Sequence, residues 1–136
     1  MKRTHQITVG GETYQLRLTL GGQRALRQQF DEEALQTVLE AAVDGERMAA
    51  VLQQALNWEG NHNAITSGEE LYDRLVDCGW TGQADFGELA FQIAAESGLI
   101  SREQAKKLKE SVLNTVNAAF DALNQEQEPL DPFPQG

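Results

Sequence analysis

The chain has 136 residues, of which 40% are hydrophobic, and a formal net charge of −10 at pH 7. This length suits a single domain whose core needs neither disulfide nor metal, and the negative charge disfavours direct nucleic-acid binding because phosphates are repelled. No apolar run approaches the roughly 20 residues of a membrane span, so no membrane contact is expected. Without an apolar segment behind the basic N-terminus we expect no secretory signal, and the single Cys78 fits a reducing cytoplasm.

The charge is distributed unevenly along the sequence. Residues 1–30 carry five basic residues and one acid, whereas residues 31–100 carry fourteen acids and two basic residues. Opposite patches of this size predict self-association, with the basic segment of one copy against the acidic helices of another. Arg17, Arg24 and Arg27 are the candidate contact residues, and Arg24 and Arg27 lie one helical turn apart. The alternative is that these charges form a solvated surface.

The first segment with a clear pattern, residues 6–20, predicts a β-hairpin. Ile7 and Val9 alternate with polar residues before Gly10-Gly11, and a second alternating run follows it. The Gly-Gly pair supplies the positive φ angles of a tight turn. Apolar side chains should therefore share one face of the hairpin, and no strand signal follows later in the chain.

Apolar residues at helical spacing predict six helices after the hairpin. Their expected ranges are 22–30, 32–43, 46–57, 68–78, 85–97 and 102–124. The expected N-caps are Asp31, Asp44, Ser67 and Ser101. The expected fully buried residues are Leu39, Leu52, Leu75, Leu89 and Ile93, and Val76 and Cys78 are also expected to face inward.

The sequence as a whole indicates a predominantly α-helical α+β fold. One N-terminal two-stranded hairpin should pack on a body of about six helices. Residues 1–124 should form a single domain, and the acidic, proline-containing residues 125–136 should form a flexible tail.

Nothing in the sequence predicts catalysis, a cofactor or a metal. His5, His62 and Cys78 lack the spacing of metal ligands. Cys78 near a helix C-terminus should be a buried apolar residue, because that end of the dipole disfavours a thiolate. Gly10-Gly11 and Gly21-Gly22 lack the Lys-Ser/Thr ending of a phosphate-binding loop. We therefore expect a protein that is not an enzyme.

Three large aromatic residues, Trp58, Tyr72 and Trp80, lie in the helical body, and both tryptophans are beside expected helix ends. Such residues plug the ends of a small helical core or anchor a protein interface. Both interpretations stay open from sequence. These three residues and the three arginines form the set of candidate protein-binding residues.

The hairpin string Ile-Thr-Val-Gly-Gly-Glu-Thr-Tyr-Gln-Leu-Arg-Leu, continuing to Arg24-Ala25-Leu26, resembles the start of tail assembly chaperones of long-tailed bacteriophages and prophages. Asn57-Trp58 and the segments 70–77 and 85–90 are also similar to that group. The resemblance covers about residues 6–100, and its motifs are structural, so no catalytic residue is implied.

The resemblance implies a protein of the host bacterial cytoplasm that is absent from the mature virion. It would bind the long tape measure protein and keep it soluble until tail tube subunits polymerise around it. In that family a frameshifted longer form recruits tail tube protein, which makes tail tube protein a second expected partner. The alternatives are a small tail completion or connector subunit retained in the virion, and a small enzyme or its regulatory subunit.

Overall fold

In the computed structural model of the chain, residues 3–101 are described together with 103, 104, 106, 107 and 110, and only the backbone of Gln83 is described. The elements are β1 (His5–Val9), β2 (Glu12–Leu16), α1 (Leu20–Phe30), α2 (Ala34–Glu40), α3 (Gly45–Leu56), α4 (Gly68–Asp77) and α5 (Gly82–Glu96). The predominantly helical α+β fold with an N-terminal hairpin is confirmed. These are five helices against the six predicted, and the described residues 103, 104, 106, 107 and 110, which fall in the sixth predicted range, are also helical.

The hairpin forms as its sequence pattern predicts. Strands β1 and β2 pair antiparallel, with Ile7 opposite Tyr14. Gly10 and Gly11 form the turn with φ angles of 58° and 83°, a conformation that suits glycine. One face of the hairpin and the segment after it bury Ile7, Val9, Tyr14, Leu16 and Leu18. The hairpin packs on α3 through β2 and on α5 through β1.

The central helix is α3, which contacts α1, α2, α4 and β2. Its fully buried residues are Met48, Val51, Leu52, Ala55 and Leu56. Asp44 caps it as expected, because a side-chain oxygen of Asp44 accepts a 3.0 Å hydrogen bond from the backbone N–H of Glu46. Helices α1, α2 and α4 and strand β2 pack around this buried helix, whereas α5 packs on α2 and β1.

Four of the five core predictions are confirmed, and the fifth is wrong. The confirmed residues are at most 2% exposed, and they are Leu52, Leu75, Leu89 and Ile93. Leu39 is only half-buried. It packs at the edge of a small second cluster formed by Phe91 and Ala95 and not in the main core.

The boundary between α1 and α2 differs from the sequence prediction. Asp31 is not the N-cap of α2 but the C-cap of α1, with a left-handed φ of 53° that Asp tolerates better than most residues. Its backbone N–H donates to the carbonyl of Arg27. Glu33 takes the N-cap position of α2, which ends at Glu40. Val43 consequently lies in the turn before α3 and is 65% exposed.

The C-terminal part of α4 also departs from the prediction. Val76 is 45% exposed and Cys78 is exposed, although both were expected to face inward. Leu71 and Leu75 already fill the inward face, and one residue further along a helix is a rotation of about 100° away from it. Cys78 is the C-cap residue, and Gly79 after it has the positive φ of 99° expected at a helix end.

Two predicted N-terminal caps are present. The hydroxyl of Ser67 accepts from the backbone N–H of Glu70 at 3.2 Å. Ser101 and Gln104 form a reciprocal box, in which each side chain accepts from the other's backbone N–H at 3.0 and 2.9 Å. Most of the predicted helix 102–124 and the whole of the predicted tail 125–136 lie outside the described residues.

Candidate functional site

An aromatic cluster joins α4, the turn after it and α5. The rings of Tyr72 and Phe86 stack with centroids 5.0 Å apart, and Trp80 meets Phe86 edge-on at 5.6 Å. Both geometries are favourable for aromatic pairs. Phe86 is buried, whereas Tyr72 and Trp80 are half-buried. The cluster is therefore anchored in the core and reaches the surface through its outer two rings.

This cluster forms the floor of a groove of about 460 Å³, the aromatic groove. Its walls include Ala41, Val43 and Val76. Val43 and Val76 are two of the three large hydrophobic residues that are exposed among the described residues. Exposed apolar side chains beside half-buried aromatic rings form a contiguous apolar surface, which is typical of a protein-binding site.

A second groove, of about 480 Å³, lies along α3 and α4 beside the C-terminal end of α1 and is called the α3–α4 groove. It shares Tyr72 with the aromatic groove. Its apolar part is formed by Phe30, Ala49, Ala50 and Tyr72, and the carboxylates along it belong to Glu46, Glu69 and Asp73. Its lining contains no Lys or Arg. The ion pairs of the described residues do not include these three carboxylates.

Arg47 connects α3 to the segments that precede it. Its guanidinium donates to both carboxylate oxygens of Glu32, at 2.9 and 3.0 Å, and to Asp44 at 2.5 Å. These hydrogen bonds hold the pKa of both carboxyls below their ordinary values and raise the pKa of Arg47. The guanidinium also lies 4.9 Å from the ring centre of Phe30. This network fixes the turn that carries Val43, so we assign it a structural role.

Of the six residues predicted to bind protein, the structure brings Tyr72 and Trp80 together in the aromatic groove. Trp58 lies elsewhere, 8% exposed, and its ring N–H donates to the carbonyl of Gln15 at 3.0 Å. This buried position fits the interpretation in which Trp58 plugs the helical core, and not the one in which it anchors an interface. Arg17 is half-buried, and its guanidinium donates to the carbonyl of Arg3 at 3.1 Å. Arg17 thus joins the two ends of the hairpin.

Arg24 and Arg27 are both exposed on α1, on the same side as Leu20. Leu20 is 69% exposed and was missed from sequence, because the first helix was expected to begin two residues later. The signal was present in Thr19, whose hydroxyl accepts from the backbone N–H of Gly22 at 3.1 Å and caps α1. Val43 was missed because it was placed inside a longer second helix.

Within the described part of the chain, no group of three or more His, Cys, Asp or Glu side chains could hold a metal ion. The same residues contain no helix that is long and apolar enough to cross a membrane. Comparison with protein families, characterised proteins and solved structures finds no match.

Proposed function

We propose that the chain is a tail assembly chaperone of a long-tailed bacteriophage or prophage. It binds the tape measure protein in the host cytoplasm, keeps it soluble, and helps tail tube subunits to polymerise around it. The observation that supports binding is the aromatic groove, where exposed Val43 and Val76 stand over Tyr72 and Trp80. The resemblance of the hairpin and the helical segments supplies the class of client.

The aromatic groove suits one apolar face of a client helix. An amphipathic helix presents apolar side chains every three to four residues, and such faces bind apolar grooves in other proteins. Tyr and Trp contribute most to interfaces of this kind because they bury large areas with few rotatable bonds. A client segment seated on Tyr72 and Trp80 hides its apolar stripe, while the acidic exterior of the chain keeps the complex soluble.

Hydrogen bonds of backbone and side-chain groups hold the groove in shape. The N–H of Trp80 donates to the carbonyl of Leu75 at 3.0 Å, and the N–H of Thr81 donates to the carboxylate of Asp85 at 2.8 Å. On the opposite wall, Asp44 next to Val43 is fixed by Arg47. A preformed groove loses less conformational entropy on binding, which favours affinity from a small contact area.

Co-expression with the tape measure protein tests this function. The chain should move the client from the pellet to the supernatant and co-purify with it. Val43→Asp and Trp80→Ser should each weaken both effects, because one places a charge at the groove and the other removes an aromatic ring. Gln36→Asp, which introduces the same charge at an exposed position of α2, is the matched control. Unchanged client solubility together with no pull-down by the native chain would reject the proposal.

Analysis of purified phage particles separates the chaperone from a structural subunit. We expect the chain in lysates of assembling phage and not in finished particles. A stoichiometric amount in purified particles would favour the tail completion or connector subunit instead. We also propose that a longer, frameshifted form of the chain binds tail tube protein. This form would be detected as a second, larger product that co-purifies with tail tube protein.

A further inference from the structure

Two exposed helix faces match each other in spacing and oppose each other in charge. Leu20, Arg24 and Arg27 form the α1 stripe, and Glu69, Asp73 and Val76 form the α4 stripe. Both follow the spacing i, i+4, i+7, which places three side chains on one face of a helix. All six residues are exposed, and the ion pairs of the described residues include none of them.

The spacing and charges of the two stripes favour an antiparallel arrangement of α1 and α4. An α-helix rises about 1.5 Å per residue. When Leu20 lies opposite Val76 in an antiparallel pair, Arg27 is therefore level with Glu69. In the same pair, Arg24 and Asp73 are offset by only about 1.5 Å along the helix axis. Apolar then meets apolar, and each cation meets a carboxylate. A parallel arrangement would instead place Leu20 against Glu69 and Arg27 against Val76. Only the antiparallel arrangement satisfies all three pairs.

We infer that copies of this chain bind one another, with α1 of one copy lying antiparallel along α4 of the next. Arg24 and Arg27 then lie at the α3–α4 groove, and Leu20 lies against Val76 at the edge of the aromatic groove. The aliphatic stems of Arg24 and Arg27 cover the apolar part of the groove beside Tyr72, and their guanidinium groups contact Asp73 and Glu69. The lack of any cation in the lining of this groove favours a basic partner over an acidic one.

The two stripes lie on different helices, and both helices pack on α3. The contact therefore joins unlike surfaces and leaves one free stripe at each end of a pair. Copies add until a ring closes, and the smallest ring is a dimer with two equal contacts. A single helix in a groove buries an area at the low end of specific interfaces, about 1,200 Å² or less, so the contact should be weak and salt-dependent.

Paired charge reversals test the contact with the purified chain alone, so the result is independent of the client. Sedimentation velocity at low ionic strength should show a mass that rises with concentration for the native chain and falls toward the monomer in high salt. Arg24→Glu with Arg27→Glu should weaken the association at least tenfold, and so should Glu69→Lys with Asp73→Lys. Mixing the two double variants should restore association, because each then offers the stripe that the other lacks.

Two control variants separate the effect of the stripes from the effect of a change in net charge. Lys106→Glu with Lys107→Glu and Glu103→Lys with Glu110→Lys make the same charge changes at exposed positions outside both stripes. These variants should associate like the native chain, and thermal melts should show that all variants fold. A native chain that stays monomeric at high concentration and low salt would overturn the inference. So would controls that weaken association as strongly, or a mixture that does not restore it.

Discussion

Gly68 begins α4 in direct contact with the backbone of α3 at Ala49. A Cβ at position 68 would overlap the carbonyl oxygen of Ala49 and stand 2.9 Å from the Cα of Gln53. The side-chain oxygen of Gln53 completes the contact by accepting from the N–H of Gly68 at 2.8 Å. The absence of a side chain at this one position thus allows α3 and α4 to approach closely.

Gly68→Ala should destabilise the fold. The added methyl group meets backbone atoms of α3 that cannot rotate away, so the helices must separate, which typically costs about 1–3 kcal/mol. Gly21→Ala is the matched control, because the nearest atom to its Cβ would be the hydroxyl of Thr19 at 3.8 Å. That change should shift stability by no more than about 0.5 kcal/mol, because Gly21 is exposed in the first turn of α1. Urea unfolding of both variants measures the difference, and a similar free energy of unfolding for the two would contradict the close contact.

Leu75 and Val76 are neighbours with opposite environments. Leu75 is fully buried, so Leu75→Ala should cost about 2–5 kcal/mol through lost burial and a new cavity. Val76 is 45% exposed, and Val76→Ala should change stability by no more than about 0.5 kcal/mol. Equilibrium denaturation of the two variants checks the orientation of α4. Equal losses would mean that the outward face assigned to Val76 is wrong.

The Arg47 network predicts a loss of stability in acid. Glu32 and Asp44 have folded-state pKa values below their unfolded values, so their contribution is present above the ordinary carboxyl pKa and is lost as pH falls through the lowered one. The free energy of unfolding of the native chain should therefore fall below about pH 4.

Arg47→Met separates the contribution of the Arg47 network to acid-induced unfolding from that of the other carboxyl groups. Without the guanidinium, both pKa values return toward ordinary values, and the variant should lose less stability between pH 7 and pH 3 than the native chain. Lys106→Met removes an exposed cation that lies outside both stripes and takes part in no ion pair of the described residues, and it should leave the acid-induced loss unchanged. Urea midpoints at several pH values supply the measurement. Identical pH profiles for the native chain and Arg47→Met would argue against the assigned pKa directions.

Local signals in the sequence were sufficient for the hairpin and for most helix ends. Gly10-Gly11, Ser67 and Gly79 each determine backbone geometry within a few residues, so their effect can be predicted without knowledge of the fold. Asp31 shows the limit of this reasoning, because Asp suits both a helix N-cap and a left-handed C-cap. The choice between them depends on how α1 and α2 pack on each other, which is tertiary information.

The candidate site was harder to predict than the fold. Tyr72 and Trp80 could be selected as aromatic residues in the helical body, but their partner Phe86 could be read only as one member of an inward helix stripe. Val43 joins them because α2 ends early and because Arg47 fixes the following turn. The groove forms from residues that are far apart in sequence, and no local pattern encodes such an arrangement.

Cys78 offers a direct check on the surface next to the aromatic groove. It was expected to be buried, but it is exposed at the C-cap of α4, two residues from Val76 and two from Trp80. A thiol reagent should therefore label the native chain without denaturant, at a rate close to that of the unfolded chain, and Cys78→Ser should abolish the label. A client helix bound in the aromatic groove should slow the labelling, because it covers the neighbouring side chains. Slow labelling of the free chain that becomes fast only in urea would instead show that Cys78 is buried, as the sequence predicts.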